Sequence, residues 1–305
     1  MPAVEFKDRV AIVTGAGAGL GRSHALALAR RGVKVVVNDL GGAVDGSGGS
    51  GTVAEAVVRE IEEAGGEAMA SGASVTDAEQ VQDMVAAAIE RFGQVDILVN
   101  NAGILRDKSF AKMSLDDFRL VLDVHLMGSV NCTKAVWDHM RERSYGRIVM
   151  TSSSSGLYGN FGQSNYGAAK TGLVGLMNVL ALEGAKNDIR VNTLSPTALT
   201  RMTEGLMPAE VGAALTPESV TAGLLALCCD DAPSKMILAA GAGGYAETKI
   251  YETQGVYLPP EEQTAEAVFA AMDRIRDPQG QRDMPDGSAQ TMHFLKMVQE
   301  HRSKG

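Results

Sequence analysis

The chain has 305 residues, 45% of them hydrophobic and 21% charged, with a formal net charge of -9. That length suits one large α/β domain or a domain with an appendage, and the acidic balance argues against a nucleic-acid surface. Three cysteines (Cys132, Cys228, Cys229) and five scattered histidines give neither a disulfide framework nor a metal-ligand spacing.

Short apolar runs alternate with longer helical patterns. Val10–Thr14 reads as a buried strand and Leu20–Arg31 as a helix rich in Ala and Leu. Val33–Asn38 is a second strand, followed by a helix over Thr52–Ala64, a short strand at Glu67–Ser71 and a helix over Asp77–Phe92. Val95–Asn100 is a fourth strand, Ser114–Arg141 a long helical stretch and Arg147–Met150 a fifth strand. A helix over Asn165–Lys186 and a strand at Ile189–Leu194 come next, then a helix at Pro217–Cys229 and a last strand at Met236–Ala240. Continuous apolar strands separated by helices predict a parallel sheet covered on both faces, that is, a doubly wound α/β fold of the Rossmann type. Residues 1–240 form the expected catalytic domain. Residues 241–305 form a C-terminal extension with Tyr245, Tyr251, Tyr257, a helix over Thr264–Arg276 and a final helix near Gln290–Glu300.

One segment breaks the rhythm. Leu40–Thr52 carries Gly41, Gly42, Gly46, Gly48, Gly49 and Gly51. It reads either as a flexible surface loop or as a loop that closes over the adenosine end of a cofactor.

Apolar content also bears on location. No run approaches the roughly 18 apolar residues of a spanning helix. Met1–Phe6 lacks the make-up of a signal peptide, and the terminal Ser303-Lys304-Gly305 is not a peroxisomal Ser-Lys-Leu address, so the expected location is the cytoplasm.

Thr14-Gly15-Ala16-Gly17-Ala18-Gly19-Leu20-Gly21 lies between the first strand and the first helix, where a dinucleotide loop must sit. Glycine lets the backbone turn sharply and lets a pyrophosphate approach its amides, while the helix N-terminus offers free N–H donors. Asp39 follows the second strand, where a carboxylate can accept from both ribose hydroxyls of NAD and repel the 2′-phosphate of NADP. NAD is therefore the expected cofactor; the alternative for Asp39 is a simple turn cap.

Tyr166 and Lys170 stand four apart at the start of a predicted helix and so share a face. A phenol of pKa about 10 is a poor acid–base catalyst at neutral pH, and a nearby ammonium would lower it. Upstream, Thr151-Ser152-Ser153-Ser154-Ser155-Gly156 ends the fifth strand, at the sheet edge where ligands bind. A serine hydroxyl there can donate to a carbonyl oxygen on which charge develops.

With Thr14-Gly15, Gly19 and Gly21, Asn100-Asn101-Ala102-Gly103, Ser153 thirteen residues before Tyr166, and Lys170, the sequence resembles the short-chain dehydrogenase/reductase family. The resemblance implies Tyr166 as general acid/base, Lys170 as its partner and Ser153 as carbonyl polariser, with Ser155 a second-choice pocket residue. It also implies cofactor contacts from Gly15, Gly19, Leu20, Gly21, Asp39, Ser74, Val75, Asn101, Ala102, Gly103, Tyr166 and Lys170, and from Thr197, Ala198 and Thr200 beyond the sixth strand. Two positions depart from the general pattern. His125 stands where a catalytic Asn is usual, with a water-anchoring or proton-relay role or none, and Ser74 stands where many members have Asp.

Further stretches are similar to the (3R)-hydroxyacyl-CoA dehydrogenase units of peroxisomal multifunctional enzymes of type 2. They include Val37-Asn38-Asp39-Leu40-Gly41-Gly42, Asn100 through Asp107, and Gly159-Asn160-Phe161-Gly162-Gln163. The likeness implies NAD-dependent oxidation of a (3R)-3-hydroxyacyl-CoA by a stand-alone unit, in a homodimer or higher homo-oligomer. A hydroxysteroid or other bulky secondary-alcohol dehydrogenase is the alternative. A non-catalytic NAD-binding regulator is the alternative of another class, which the presence of both Tyr166 and Lys170 disfavours.

Overall fold

The computed structural model describes residues 4–49, 52–198 and 214–303. Strand β1 (Val10–Thr14) leads through the glycine loop into α1 (Gly19–Ala29), then come β2 (Lys34–Asn38), α2 (Thr52–Glu63), β3 (Ala68–Ser71) and α3 (Ala78–Phe92). Next are β4 (Ile97–Asn100), α4 (Leu115–Leu122), α5 (Gly128–Arg143) and β5 (Gly146–Thr151). They are followed by α6 (Ser154–Tyr158), α7 (Ser164–Gly184), β6 (Ile189–Pro196), α8 (Pro217–Cys228), β7 (Ile237–Gly241) and β8 (Gly244–Thr248).

The strands form one sheet in the order β3-β2-β1-β4-β5-β6-β7-β8. All registered pairs from β3 across to β7 are parallel. Every residue of β1, β4 and β5 is buried, because helices cover both faces and leave no side for water. The helices supply the cover through narrow apolar stripes; α2, for example, buries Ala54, Val57 and Ile61. The winding direction reverses between β1 and β4, which opens a crevice at the carboxyl ends of those two strands.

Three features differ from the sequence expectation. The long stretch from Ser114 is two helices joined by a π-helical turn at Asp123–Met127, which contains His125. A one-and-a-half-turn helix, α6, begins within the serine cluster at Ser154 and precedes α7. Beyond Ala240, a two-residue turn at Ala242–Gly243 brings β8 back against β7, so the first compact unit continues to Glu247 rather than stopping at 240.

Residues 248–305 form a second compact unit. It holds a two-stranded antiparallel ribbon, Tyr251–Glu252 with Arg282–Asp283, and a helix over Gly287–Arg302. The helix expected over Thr264–Arg276 is broken at Ala271 into Ala265–Ala270 and Met272–Ile275. Among the described residues, no helix is long and apolar enough to cross a membrane.

Candidate active site

The crevice at the switch point is a cavity of about 330 Å³. Its floor begins at the glycine loop. Gly15 has φ +62°, and a Cβ on Gly21 would lie 2.2 Å from the Gly15 carbonyl oxygen, so the turn closes only around bare backbone. The N-terminus of α1 has no side-chain cap, and Ala18, Gly19 and Leu20 at that end line the cavity. Uncapped amides at a helix start, with room in front of them, fit the pyrophosphate of a dinucleotide. Gly21 itself packs behind the turn.

Asp39 faces the same cavity from the end of β2. Its Oδ2 accepts from the Gly17 amide at 2.8 Å and its Oδ1 from the Gly41 amide at 2.7 Å. It therefore does cap a turn, yet a carboxylate has about four acceptor sites and two remain for a ribose. Asn101 acts as a clamp on the loop: its Nδ2 donates to the carbonyls of Thr14 (2.9 Å) and Gly15 (3.1 Å). Asn101, Ala102, Gly103, Ser74 and Val75 all line the cavity. The Ser74 hydroxyl pairs with Thr76 Oγ1 at 2.8 Å, and the Val75 carbonyl accepts from Asn131 Nδ2 at 2.9 Å.

Ser153, Tyr166, Lys170 and His125 come together in the other half of the cavity. Ser153 caps α6, accepting from the Ser155 amide at 3.2 Å. Lys170 is buried; its Nζ donates to the Thr151 carbonyl at 2.5 Å and stands 5.4 Å from the centre of the Tyr166 ring. Burial pulls the Lys170 ammonium down to about 7. Burial also pushes the Tyr166 phenol above its usual range, against a lowering hydrogen bond from Ser153. In the protein by itself the phenol is thus moved opposite to the direction the Tyr–Lys spacing suggests.

His125 is brought to the chemistry by the π turn. Its ring meets Tyr166 edge-on, with centroids 5.2 Å apart. Nε2 faces the main chain of Ile104, 3.0 Å from the amide nitrogen and 2.8 Å from the carbonyl oxygen, while Nδ1 is buried without a partner. Burial first, and then the Lys170 charge, hold its pKa well below the usual value, so the ring is neutral. A Cβ on Gly103 would lie 2.3 Å from His125 Cε1, which explains a glycine there.

Other expected residues fall elsewhere. Ser155 does not line the cavity; its side of α6 packs toward Gly167. Thr197 and Ala198 do not line it either. The Thr197 amide donates to the Ala240 carbonyl at 2.8 Å and Ala198 belongs to the core, while Pro196 takes the cavity wall. Thr200 lies outside the described residues.

A family model for short chain dehydrogenases matches residues 9–210. The chain belongs to the short-chain dehydrogenase family. This short-chain dehydrogenase is accordingly an oxidoreductase of a family that uses NAD(P). It is 49% identical over 257 residues to peroxisomal multifunctional enzyme A of Dictyostelium discoideum, covering 84% of this chain and 58% of that one. The structure of full-length peroxisomal multifunctional enzyme type 2 from Drosophila melanogaster superposes with a TM-score of 0.81 at 38% identity, over 97% of this chain and 50% of that one. The chain thus spans about half the length of these multifunctional relatives. A 7α-hydroxysteroid dehydrogenase complexed with NADH and 7-oxo glycochenodeoxycholic acid superposes with a TM-score of 0.71 at 29% identity, over 79% of this chain and 96% of that one.

Several lining residues of this dehydrogenase were not singled out one by one in the sequence. Leu40, Gly42, Ala43, Val44 and Gly46 line the cavity, so the glycine-rich segment lies against the site. Of the two readings its composition left open, a surface loop or a loop closing over the cofactor, this placement favours the second. Ile104 and Val124 also line the cavity, and nothing in an apolar residue by itself signals that role.

Proposed function

We propose that the protein oxidises a secondary alcohol by hydride transfer to NAD, with a (3R)-3-hydroxyacyl-CoA as substrate and the 3-ketoacyl-CoA as product. The observation that carries this is the convergence of Ser153, Tyr166 and Lys170 on one cavity whose far end is the glycine loop and Asp39. Bound NAD would supply the hydride acceptor. The chain's own residues handle the oxygen: Tyr166 Oη takes the hydroxyl proton and Ser153 Oγ donates to the oxygen as it becomes a carbonyl. Lys170, anchored by the Thr151 carbonyl, adds positive charge near the phenol whenever its amine is protonated. His125, neutral and fixed to Ile104, holds the wall opposite the Tyr166 ring. Asp39 supports NAD over NADP, because its carboxylate would repel a 2′-phosphate at the ribose.

The acyl-CoA assignment rests on similarity to the multifunctional enzymes. Likeness to a 7α-hydroxysteroid dehydrogenase supports the second reading, a bulky alcohol such as a steroid. Matched (3R)- and (3S)-3-hydroxyacyl-CoA, each offered with NAD and with NADP, separate these readings by the absorbance of reduced cofactor. Only the R form should react appreciably, with at least about tenfold preference for NAD, equivalent to about 1.4 kcal/mol. Turnover of a hydroxysteroid with neither acyl form active would select the second reading.

A further inference from the structure

Residues 104–106 run from the end of β4 between two parts of the site and bond to both. Toward the glycine-rich loop, the Leu105 amide donates to the Val44 carbonyl at 3.0 Å. The Ile104 side chain lies under Gly46, where a Cβ would meet its Cδ1 at 3.2 Å. Arg106 Nε donates to the Asp45 carbonyl at 2.7 Å. Toward the catalytic side, Arg106 Nη1 donates to Asp117 Oδ1 of α4 at 3.2 Å. The Arg106 carbonyl accepts from Asn165 Nδ2 at 3.1 Å, and Asn165 Oδ1 accepts the Tyr166 amide at 2.7 Å. One residue therefore holds the loop by its side chain and the start of the Tyr166 helix by its main chain.

A loop this rich in glycine loses much conformational entropy when ordered. A charge-assisted donor from the segment after β4, held at its other end by Asp117 of α4, offsets that loss at one point. The guanidinium suits the task because Nε and Nη1 serve two partners at once, which an ammonium on a flexible stem does poorly. Gly42, Ala43, Val44 and Gly46 all line the cavity, so where the loop sits decides how far its dinucleotide end is covered.

We propose that Arg106 is a positioning residue that latches the Leu40–Gly49 loop over the dinucleotide and so sets how long the cofactor stays bound. The proposal rests on the cavity being a dinucleotide site. Dissociation of NADH from the full chain, followed by stopped-flow displacement, tests it in the unmodified protein, Arg106→Met and Arg106→Lys. Arg106→Met should release NADH about tenfold faster, the loss of one charge-assisted hydrogen bond of ordinary strength. KM for NAD should rise by a similar factor while kcat falls much less, and amides 42–47 of the NADH complex should exchange hydrogen faster. Arg106→Lys should recover part of the difference. If Arg106→Met does not fold, Asp117→Asn loosens the same guanidinium and should accelerate release to a smaller extent. Release within twofold of the unmodified protein, with kcat and melting temperature lowered instead, would make Arg106 merely structural and overturn the latch alone. Failure of the unmodified protein to bind NADH at all would overturn the dinucleotide reading, and the latch with it.

Discussion

Burial drives the Tyr166 and Lys170 pKa values apart, the phenol upward and the ammonium down to about 7. The amine therefore changes charge near neutral pH, and below about pH 7 its positive charge beside the ring favours the phenolate. The phenol itself is indispensable to the proposed proton transfer. Tyr166→Phe keeps the ring that packs on His125 and removes the ionisable group. Turnover should fall by about 10²–10⁴-fold, the usual worth of a general acid–base group. NADH binding, measured by fluorescence titration, should stay within a few-fold of the unmodified protein. Near-normal turnover would sink the mechanism. These residues were legible in the sequence because the serine cluster, the Tyr–Lys spacing and the glycine loop each ended a strand or opened a helix on the same sheet edge. His125 was legible only through the family resemblance, as the residue at a catalytic Asn position, and not from the residue pattern itself. Its placement depends on a π turn, which leaves no mark in an apolar pattern of period 3.6.

Helix α1 meets α8 through a polar cluster inside an otherwise apolar contact. Ser23 Oγ and His24 Nδ1 lie 2.8 and 2.7 Å from Thr221 Oγ1, which donates to the Pro217 carbonyl at 2.9 Å. His24 is fully buried, its Nε2 has no partner, and burial lowers its pKa to about 3. In the unfolded chain the ring titrates near its usual 6.5. Between those values the unfolded state binds a proton that the folded state refuses, so stability falls as pH drops below about 6.5. At pH 5 the loss is about 2 kcal/mol, at 1.36 kcal/mol per pH step. His24→Leu removes the titrating ring and leaves Thr221 its bond to Pro217. The urea midpoint of this variant should change less between pH 7 and pH 5 than that of the unmodified chain. An equal acid sensitivity in both would show that His24 is not its source. Neither this cluster nor the buried Arg147 can be read from the sequence. The Arg147 donors are satisfied by Asp188 and by the Cys229 and Asp230 carbonyls, partners 41 to 83 residues away. An isolated Arg at the head of a strand announces no such closure, whereas the strands themselves are announced by unbroken Val and Ile.

At the scale of the whole molecule the two units differ in how much core they own. The first buries two large apolar clusters, one on each side of the sheet. In the second, Ala271 and His293 are the buried residues among those described, while Ile250, Phe269, Met292, Phe294 and Leu295 are all about half exposed or more. A unit of about 60 residues buries a smaller share of its surface than a larger domain and is correspondingly marginal. The same weakness explains why this region was hard to read: helices of six and four residues and a ribbon of two-residue strands are too short to show a period. The first unit has an exposed apolar strip of its own, Val179 and Leu182 on α7, at 53% and 52% exposure, on a helix that already buries Leu173, Val174 and Met177. Apolar side chains grouped on one exposed helix face are a candidate contact for a second chain. We predict that this face pairs two copies in at least a homodimer, to be seen by light scattering at micromolar concentration. Val179→Glu with Leu182→Glu should shift it toward monomer, since two charges would have to lose their water to re-form the contact. The glycine loop and the Tyr166 pocket are built wholly within the first unit, so NADH affinity of the double variant should change by less than about threefold, under 0.7 kcal/mol. An unmodified chain that scatters as a monomer, or a double variant that stays assembled, would place the contact elsewhere or remove it.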